Sequence, residues 1–501
     1  MPNKSAGFQW LKERYDLSGH ILTHNSYIGS NESIELTSKG NVEQVYGPKY
    51  APTEDAPLHH LEFALKYDDL NLDFLKSVFK HISLEDVREY IIQSPAGKYG
   101  RKIGYLYEWL TGQVIELPRP AGGNYVDLLE GEKYITGSII KNAKWKINDN
   151  LLGTPRFCPV IRKTARLTSL LEIDISEKIK QLKESYPQEI FNRAIGYLYN
   201  KETRSSYEIE KEKPSPDRME KFIAILVRAG TEETEVMMEK ERLIQLQNAI
   251  VDPRFAVKDF RDFQNFVGEV LPNYQDLIHY ICPPPAILQS LMDGLKESTQ
   301  KTFGTTRPEI RAAALPFAFV FIHPFEDGNG RLHRFLIHDI LVHDGIVPSG
   351  LIIPVSAHML NNIKDYDNIL EKYSKPLMQR VRYDKKEDGE IIITNPDEVE
   401  SYFRYPDLTE HCIYLLETIH ATLQEDMPDE LTFLQRYDEA KRDLQRIVDM
   451  PDRDINLMLI FLHQNKGVFP KRRRDRFAKL TDEEVARMQE VYRKIYELES
   501  Q

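Results

Sequence analysis

The chain has 501 residues, 41% of them hydrophobic and 29% charged, a composition that excludes a disordered chain and predicts several globular domains. Its net charge of −12 predicts a surface that repels nucleic acids and anionic membranes, so neither is an expected partner. The sequence has neither a signal-peptide core nor an apolar stretch of about 18 residues, and we expect a cytoplasmic protein. Cys158, Cys282 and Cys412 are far apart and lack CxxC spacing, which indicates reduced thiols.

The first part of the chain combines helical and β-prone segments. Residues 60–112 place apolar side chains at helical spacing, and Gly112 is a suitable helix end. Between residues 113 and 165, short β-prone runs such as YITGSII and AKWKI are separated by Gly, Pro and Asn. We therefore predict an accessory domain over residues 1–165, helical first and then β-rich.

The rest of the chain is predicted to be almost entirely helical. Long charged helices cover residues 172–248 and are interrupted near Ser215, where two prolines mark a boundary. A triple proline at 283–285 separates an extended stretch from the next helix. The pattern predicts a mainly α fold, with a central domain over residues 166–385 and a C-terminal helical domain over 386–501.

One polar loop between two apolar helices concentrates residues that can carry chemistry. His323 follows an apolar segment and supplies a titratable imidazole, and Asp327 supplies a hard carboxylate of the kind that Mg²⁺ prefers. Gly328–Gly330 allow a close approach of the backbone at a helix N-terminus, which favours an anion. Arg331 and Arg334 lie three residues apart on the next helix, where both can hold phosphate oxygens. The loop thus predicts a site for a nucleotide and a metal ion.

The residues of this loop and of the helix that follows it allow two other interpretations. A GNG sequence by itself is usually only a turn, and a single histidine before proline is more often structural than catalytic. His333, His338 and His343 recur at intervals of five, but that spacing places them on different faces of a helix, so we assign them to solvent or core positions and not to a metal site.

The segment HPFEDGNGRLHR, residues 323–334, resembles the full signature of the Fic family, HPFx(D/E)GNGRxxR. The resemblance implies transfer of AMP from ATP, with Mg²⁺, to a Ser, Thr or Tyr hydroxyl of a target protein, and the retained second arginine favours AMP transfer over phosphate transfer. It implies that Phe325 anchors the loop in the core. The remaining implied roles are a general base at His323, a Mg²⁺ ligand at Asp327, α- and β-phosphate contacts at Gly328, Asn329 and Gly330, a contact to a phosphate beyond the α at Arg331, and a γ-phosphate contact at Arg334.

The resemblance extends to the surroundings of the signature. Gln264–Gly268, in the stretch before the triple proline, resembles the flap that borders the Fic active site, where a target protein would dock as an added strand. An ordinary surface hairpin is the alternative. Tyr366 and Leu370 occupy positions at which family members pack the adenine and ribose, although a helix core explains both equally well.

A regulatory motif is also present. One class of Fic proteins carries (S/T)xxxE(G/N) on an upstream helix, whose glutamate pairs with the last arginine of the signature. Ser206 and Glu210 match this pattern, but Lys211 stands where Gly or Asn is typical, which leaves open whether the helix ends there. A second segment, THNSYIGSN, imitates the surroundings of the motif but has Ser30 in place of the glutamate, and we interpret it as a coincidence or a decoy helix.

The predicted fold is therefore mainly α, a Fic-type helical core with a small β-hairpin flap, plus accessory N-terminal α/β-rich and C-terminal helical segments. The predicted function is an autoinhibited protein adenylyltransferase. The accessory parts are further expected to mediate self-association into a homo-oligomer. The alternative is a nucleotide-sensing regulatory or DNA-binding protein without transfer activity, for which the basic run KRRRDR at residues 471–476 is the best argument.

Overall fold

The computed structural model describes residues 3–37, 41–270, 276–387 and 389–498. The predicted fold class is confirmed, since helices dominate and the strands form small sheets. No helix within these described ranges is long and apolar enough to cross a membrane.

The N-terminal region combines a mixed sheet with five helices. Its strands are β1 Lys4–Ala6, β2 His24–Ile28, β3 Ser33–Leu36 and β4 Val42–Tyr46, in the order β1-β2-β4-β3. β2 runs parallel to β4, with Ser26 opposite Gln44, and the other pairs are antiparallel. The helices are α1 Gly7–Arg14, α2 Pro57–Tyr67, α3 Leu72–Phe79, α4 Leu84–Gln93 and α5 Lys98–Thr111.

In this region, the end of helix α5 agrees with the sequence prediction, whereas the four-stranded sheet does not. Helix α5 ends at Gly112, which adopts φ +73° as a left-handed helix cap, as the sequence indicates. The four-stranded sheet was not predicted, so the order "helical first, then β-rich" is wrong at its beginning. Its strands are three to five residues long and rich in polar residues, which hides the alternation on which a strand prediction depends.

Residues 113–165 are mostly irregular. They contain only three short strands, which form a sheet of order β5-β7-β6: β5 Val126–Asp127, β6 Ile140–Asn142 and β7 Ile147–Asp149. Trp145, just before β7, is completely buried, and a buried core from Phe8 to Val160 joins these strands to α1–α5.

The central region is a helical assembly with one hairpin. The hairpin consists of β8 Phe266–Val270 and β9 Asp276–Ile281. The helices are α6 Ala165–Leu171, α7 Ile175–Glu184, α8 Gln188–Ile209, α9 Pro216–Val227, α10 Thr234–Met237, α11 Lys240–Ile250, α12 Pro285–Thr302, α13 Pro308–Ile322, α14 Asn329–His343, α15 Val355–Asn361 and α16 Ile363–Met378.

The C-terminal region continues in helices after a second hairpin, β10 Tyr383–Lys385 with β11 Ile391–Ile393. It comprises α17 Pro396–Arg404, α18 Thr409–Ala421, a π-helical turn Thr422–Asp426, α19 Met427–Ile447, α20 Asp452–Gln464, a 3₁₀ helix Lys471–Phe477 and α21 Asp482–Ile495. The central core extends as far as Leu431, and a separate small core begins at Ala440. The predicted boundary at 385/386 falls at the end of β10, and the division into domains stays a prediction.

The α13–α14 pair positions the polar loop. Helix α13 is apolar around its whole circumference from Ala312 to Ile322 and is therefore buried in the centre of the core. Pro324 cannot continue the helix, so the chain leaves α13 at His323 and re-enters a helix at Asn329. The loop between the two helices is thus fixed at both ends by the core.

Candidate nucleotide-transfer site

His323 ends helix α13 in a conformation that defines the chemistry of its ring. Its backbone adopts φ +54°, in the left-handed region that side chains other than glycine rarely occupy. Nδ1 lies 3.1 Å from the carbonyl oxygen of Val320. Because a carbonyl only accepts hydrogen bonds, Nδ1 must carry the hydrogen and Nε2 keeps a free lone pair. Burial lowers the pKa of His323 to about 4, so the ring is neutral at physiological pH and able to accept a proton.

The loop after His323 is held by its own backbone contacts. Phe325 is completely buried, its ring packs on Phe260 at 5.5 Å, and the side chain of Asn329 bonds both its N–H (3.0 Å) and its carbonyl (2.8 Å). Phe325 thus anchors the loop in the core. The Asn329 side chain is used within the loop, so only the backbone of this residue remains for a phosphate.

Helix α14 begins without a side-chain cap among the described residues. Gly328 precedes it at φ +91°, which glycine adopts without strain, and a Cβ there would come within 2.9 Å of Val251. The first N–H groups of α14 have no partner inside the helix and point out of its positive end. This terminus can bind an anion, as its sequence indicates.

Asp327 and Arg331 are paired at the edge of the loop. Oδ1 of Asp327 accepts hydrogen bonds from the N–H of Gly328 and from Nη2 of Arg331, both at 2.6 Å. Gln247 on α11 donates to the Asp327 carbonyl at 3.2 Å. The Asp327 side chain is 38% exposed, so a solvated metal ion can reach the carboxylate next to the α14 terminus.

Arg334 is buried and bonded to both predicted inhibitory residues. Its side chain is 1% exposed, and it donates to the Ser206 hydroxyl at 2.8 Å, the Ser206 carbonyl at 2.7 Å and the Glu210 carboxylate at 2.8 Å. A Cβ at Gly330 would clash with the same Glu210 oxygen. Glu210 therefore lies between the second arginine and the glycine loop, in the space above the α14 terminus.

Helix α8 ends at Ile209, which answers the question left open by Lys211. Lys211 adopts φ +57°, the N–H of Lys211 bonds the Glu208 carbonyl at 2.9 Å, and the N–H of Glu212 bonds the Tyr207 carbonyl at 3.1 Å. These two bonds form a Schellman cap, with lysine at the position where glycine is usual. The helix does not continue, and the chain turns back towards α14.

This turn places a second carboxylate, Glu212, on the other signature arginine. Glu212 accepts from Arg331 at 2.7 Å and from Arg218 on α9 at 3.0 Å. The Arg331 side chain is 2% exposed, so its charge is neutralised by Glu212 and Asp327. Sequence reasoning missed Glu212, although an acidic residue two positions after Glu210 was visible.

A third acidic residue, Glu202 on α8, fixes this helix against α14. Glu202 is almost completely buried and accepts from Nε2 of His338 and from the Ser356 N–H, both at 2.8 Å. Glu202, Ser206 and Glu210 follow each other at intervals of four, which places them on one face of α8. That face contacts α14 at Arg334 and His338.

The three regularly spaced histidines of α14 have different neighbours. His333 is buried against the Phe317 ring at 4.6 Å, His338 bonds Glu202, and Nδ1 of His343 lies 2.6 Å from Asp344. Within the described part of the chain, no group of three or more potential ligands is arranged to bind a metal ion. The three side chains belong to separate packing environments.

The predicted flap is an antiparallel hairpin next to the loop. β8 pairs with β9, with a register shift between Val267 and Gly268, and residues 271–275 between the two strands lie outside the described residues. Val267 is 41% exposed. Asn265 donates to the Phe325 carbonyl at 3.4 Å, so the beginning of β8 contacts the signature loop. Target docking at Gln264–Gly268 stays a prediction.

The remaining predicted positions are distributed over the molecule. The ring of Tyr366 is buried, and its hydroxyl lies 3.5 Å from Nη1 of Arg334, so it borders the second arginine; Leu370 packs against the core. Adenine packing by these residues stays a prediction. Ser30 follows β2, so its segment is not a helix as a decoy would require. The basic run at 471–476 forms an exposed 3₁₀ helix, in which Arg474 bonds Asp482 at 2.9 Å.

The comparisons with known proteins agree with this geometry. Residues 238–341 match the model of the Fic/DOC family. The chain therefore carries a Fic/DOC domain over these residues, and the match supports a Fic-type function. No curated protein matches the chain significantly.

Two solved structures are similar to the chain at low identity. A Fic family protein from Desulfovibrio desulfuricans is 18% identical with a TM-score of 0.38, over 53% of this chain and 75% of that chain. A Fic domain containing signaling protein from Bacteroides thetaiotaomicron is 17% identical with a TM-score of 0.31, over 52% of this chain and 97% of that chain. Neither likeness is close enough to add to the family match.

Proposed function

We propose that this protein transfers AMP from ATP to a hydroxyl side chain of a target protein, and that its own carboxylates inhibit the transfer. The single observation that carries the proposal is the arrangement around one loop: a neutral imidazole with a free Nε2, an uncapped helix terminus, a partly exposed carboxylate and two arginines. A hydroxyl that attacks the α-phosphorus needs a base and stabilisation of charge on the phosphoryl oxygens, and these groups can supply both.

The chain's residues suit ATP with Mg²⁺. The α14 terminus would hold the α- and β-phosphates, and the partly exposed Asp327 carboxylate would hold the metal ion. When bound, Mg²⁺ would supply charge stabilisation for the transferring group. Arg331 would contact a phosphate beyond the α, and Arg334 would hold the γ-phosphate.

Inhibition would follow from competition for the arginines. Glu210 occupies Arg334 and Glu212 occupies Arg331, so the two guanidiniums that should hold phosphates are already paired. A nucleotide that loses these contacts binds with its α-phosphorus poorly aligned for attack. Because misplacement of about 1 Å can cost about a hundredfold in rate, we expect slow transfer by the wild-type protein.

The test is incubation of the wild-type protein and the Glu210→Gly variant with Mg²⁺, a cell lysate and labelled ATP, UTP, GTP or CDP-choline in turn. Mass spectrometry then locates the label. We expect AMP on hydroxyl side chains, with more label from Glu210→Gly than from wild type. Absence of label from every nucleotide in both proteins would contradict the proposal.

The exposed basic run at 471–476 supports a second candidate, a nucleic-acid-binding regulator that only senses the nucleotide. If this run bound DNA, the affinity would fall steeply with salt, and neutral substitutions would reduce that slope. A filter-binding titration between low and physiological salt decides the matter. We expect no binding near physiological salt, and a tight, salt-sensitive complex would favour the regulator.

A further inference from the structure

Arg261 lies immediately before the flap and is bonded only to backbone carbonyls. Its Nε donates to the carbonyl of His323 at 2.8 Å, Nη1 to Phe263 at 2.8 Å and Nη2 to Pro283 at 2.7 Å. Its own N–H donates to the Pro324 carbonyl at 2.9 Å. Arg261 is 7% exposed, and no acidic side chain of the described residues forms an ion pair with it.

The carbonyl of His323, at the C-terminal end of α13, needs such a donor. The last carbonyls of a helix have no partner within it, and the helix end carries a partial negative charge. Arg261 supplies donors and a positive charge at the end of α13. A guanidinium suits this position because its donors diverge in one plane, whereas an ammonium is a point charge.

The same guanidinium stabilises a strained residue. A left-handed conformation costs a side chain other than glycine about 1–2 kcal/mol, and it persists only where neighbouring contacts impose it. The bond from Arg261 to the carbonyl of His323 fixes the peptide that follows this residue. It therefore helps to determine the direction of the imidazole.

The two terminal nitrogens of the Arg261 guanidinium, Nη1 and Nη2, hold the flap. Phe263 precedes β8 and Pro283 follows β9, so Arg261 bonds the chain on both sides of the hairpin. One buried side chain thus joins the residue that would accept the proton to the hairpin that would present the target hydroxyl.

We propose that Arg261 is a positioning residue of the transfer reaction, which holds the His323 imidazole and the flap in one fixed relative geometry. The inference rests on the proposed function, because it assigns His323 the proton and the flap the target. Burial is the main cause of the lowered pKa of His323, and the nearby Arg261 charge lowers it further. Loss of the charge should therefore raise the pKa of the base.

The kinetic test uses Arg261→Lys and Arg261→Gln in the Glu210→Gly background, with kcat, KM for the modified target protein and the Kd for ATP measured separately. We expect kcat/KM to fall by about ten- to a hundredfold in both variants, with the Kd for ATP within about twofold. The acid limb of the pH profile should shift upward in Arg261→Gln, which loses the charge, and stay in place in Arg261→Lys.

Arg311→Lys is the matched control, because Arg311 is equally buried, lies near the other end of α13 and bonds Asp344 at 2.9 Å. Equal losses of transfer in Arg311→Lys and Arg261→Lys, or equal weakening of ATP binding and transfer in the Arg261 variants, would overturn the positioning role. If Arg261→Gln does not fold, Arg261→Lys decides the outcome.

A second measurement does not depend on activity. ¹⁵N NMR of labelled histidine, with the His323 signals identified by their loss in His323→Ala, reports which ring nitrogen carries the hydrogen. We expect the Nδ1–H form in the wild-type protein and a mixture of forms in Arg261→Lys. An unchanged spectrum would contradict the inference, whereas absence of transfer in Glu210→Gly alone would contradict the proposed function and leave this result interpretable.

Discussion

The two sides of the candidate site are built in opposite ways. On the base side, the His323 carbonyl accepts from Arg261 and its ring Nδ1 donates to the Val320 carbonyl, and neither partner is assigned to the nucleotide. On the phosphate side, Arg334 and Arg331 are held by Glu210 and Glu212, and these ion pairs must break before the arginines reach a phosphate. Under the proposed function, the base is therefore pre-organised, whereas the position of the nucleotide is restrained by the ion pairs of the two arginines.

The largest effect is expected from the base side. His323→Ala should lower AMP transfer by about a hundredfold or more, because the variant lacks the imidazole that is proposed to accept the proton of the hydroxyl. The affinity for ATP should stay nearly unchanged, since the imidazole acts on the target. Transfer assays and ATP titrations of this variant, with exposed His81→Ala as control, check the prediction. Full transfer activity in His323→Ala would remove the base from the account.

Asp327→Ala tests the proposed metal ligand, which lies between His323 and the two arginines in the sequence. Transfer should fall, and its dependence on the Mg²⁺ concentration should weaken at the same time, because the metal ion stabilises charge and orients the phosphates. A Mg²⁺ titration of the initial rate for this variant and its parent measures both effects. An unchanged Mg²⁺ dependence would assign the metal to another residue.

Glu212→Gln tests the second inhibitory ion pair on the phosphate side, between Glu212 and Arg331, for which we expect the smaller effect. We expect transfer to rise by about tenfold in the Glu210→Gly background, because Arg331 then loses the charge of one of its two carboxylate partners, and a tenfold change corresponds to about 1.4 kcal/mol. Glu208→Gln is the matched control, since Glu208 makes the same charge change on α8 but bonds Arg204 at 2.9 Å. Equal rates in the two variants would limit the inhibition to Glu210.

The pH dependence tests the base side without a substitution of His323. A base accepts a proton only while it is neutral, and burial lowers the pKa of His323 to about 4. The kcat/KM of Glu210→Gly should therefore stay level from pH 8 down to about pH 5 and fall only below that. An acid limb near pH 6.5, the ordinary value of histidine, would show that the imidazole is more solvated than its burial indicates.

The smallest effect concerns the turn that positions both carboxylates. Lys211→Gly should raise the free energy of unfolding by about 0.5–1 kcal/mol, because glycine removes the cost of the left-handed conformation and returns only part of it as chain entropy. Urea unfolding measures the change. A destabilised variant would indicate that the lysine side chain contributes a contact of its own.

The ease of prediction also differed between regions. The signature loop could be predicted because its residues are adjacent in sequence and its chemistry follows from their types. Glu212 and Arg261 could not, since the first depends on an unusual turn at Lys211 and the second bonds carbonyls about sixty residues away. The helical fold class followed from periodicity, whereas the N-terminal sheet consists of strands too short and polar to be recognised.

The inhibition of transfer by Glu210, through its ion pair with Arg334, is tested most directly by the auto-modification rates of four proteins. Auto-modification with labelled ATP and Mg²⁺ is measured for wild type, Glu210→Gly, Arg334→Ala and the double variant. We expect the auto-modification rate to rise by about a hundredfold in Glu210→Gly. We expect slow transfer in both proteins that carry Arg334→Ala, because no guanidinium at position 334 then binds the γ-phosphate. Equal rates in wild type and Glu210→Gly, or a fast double variant, would contradict this inhibition by Glu210.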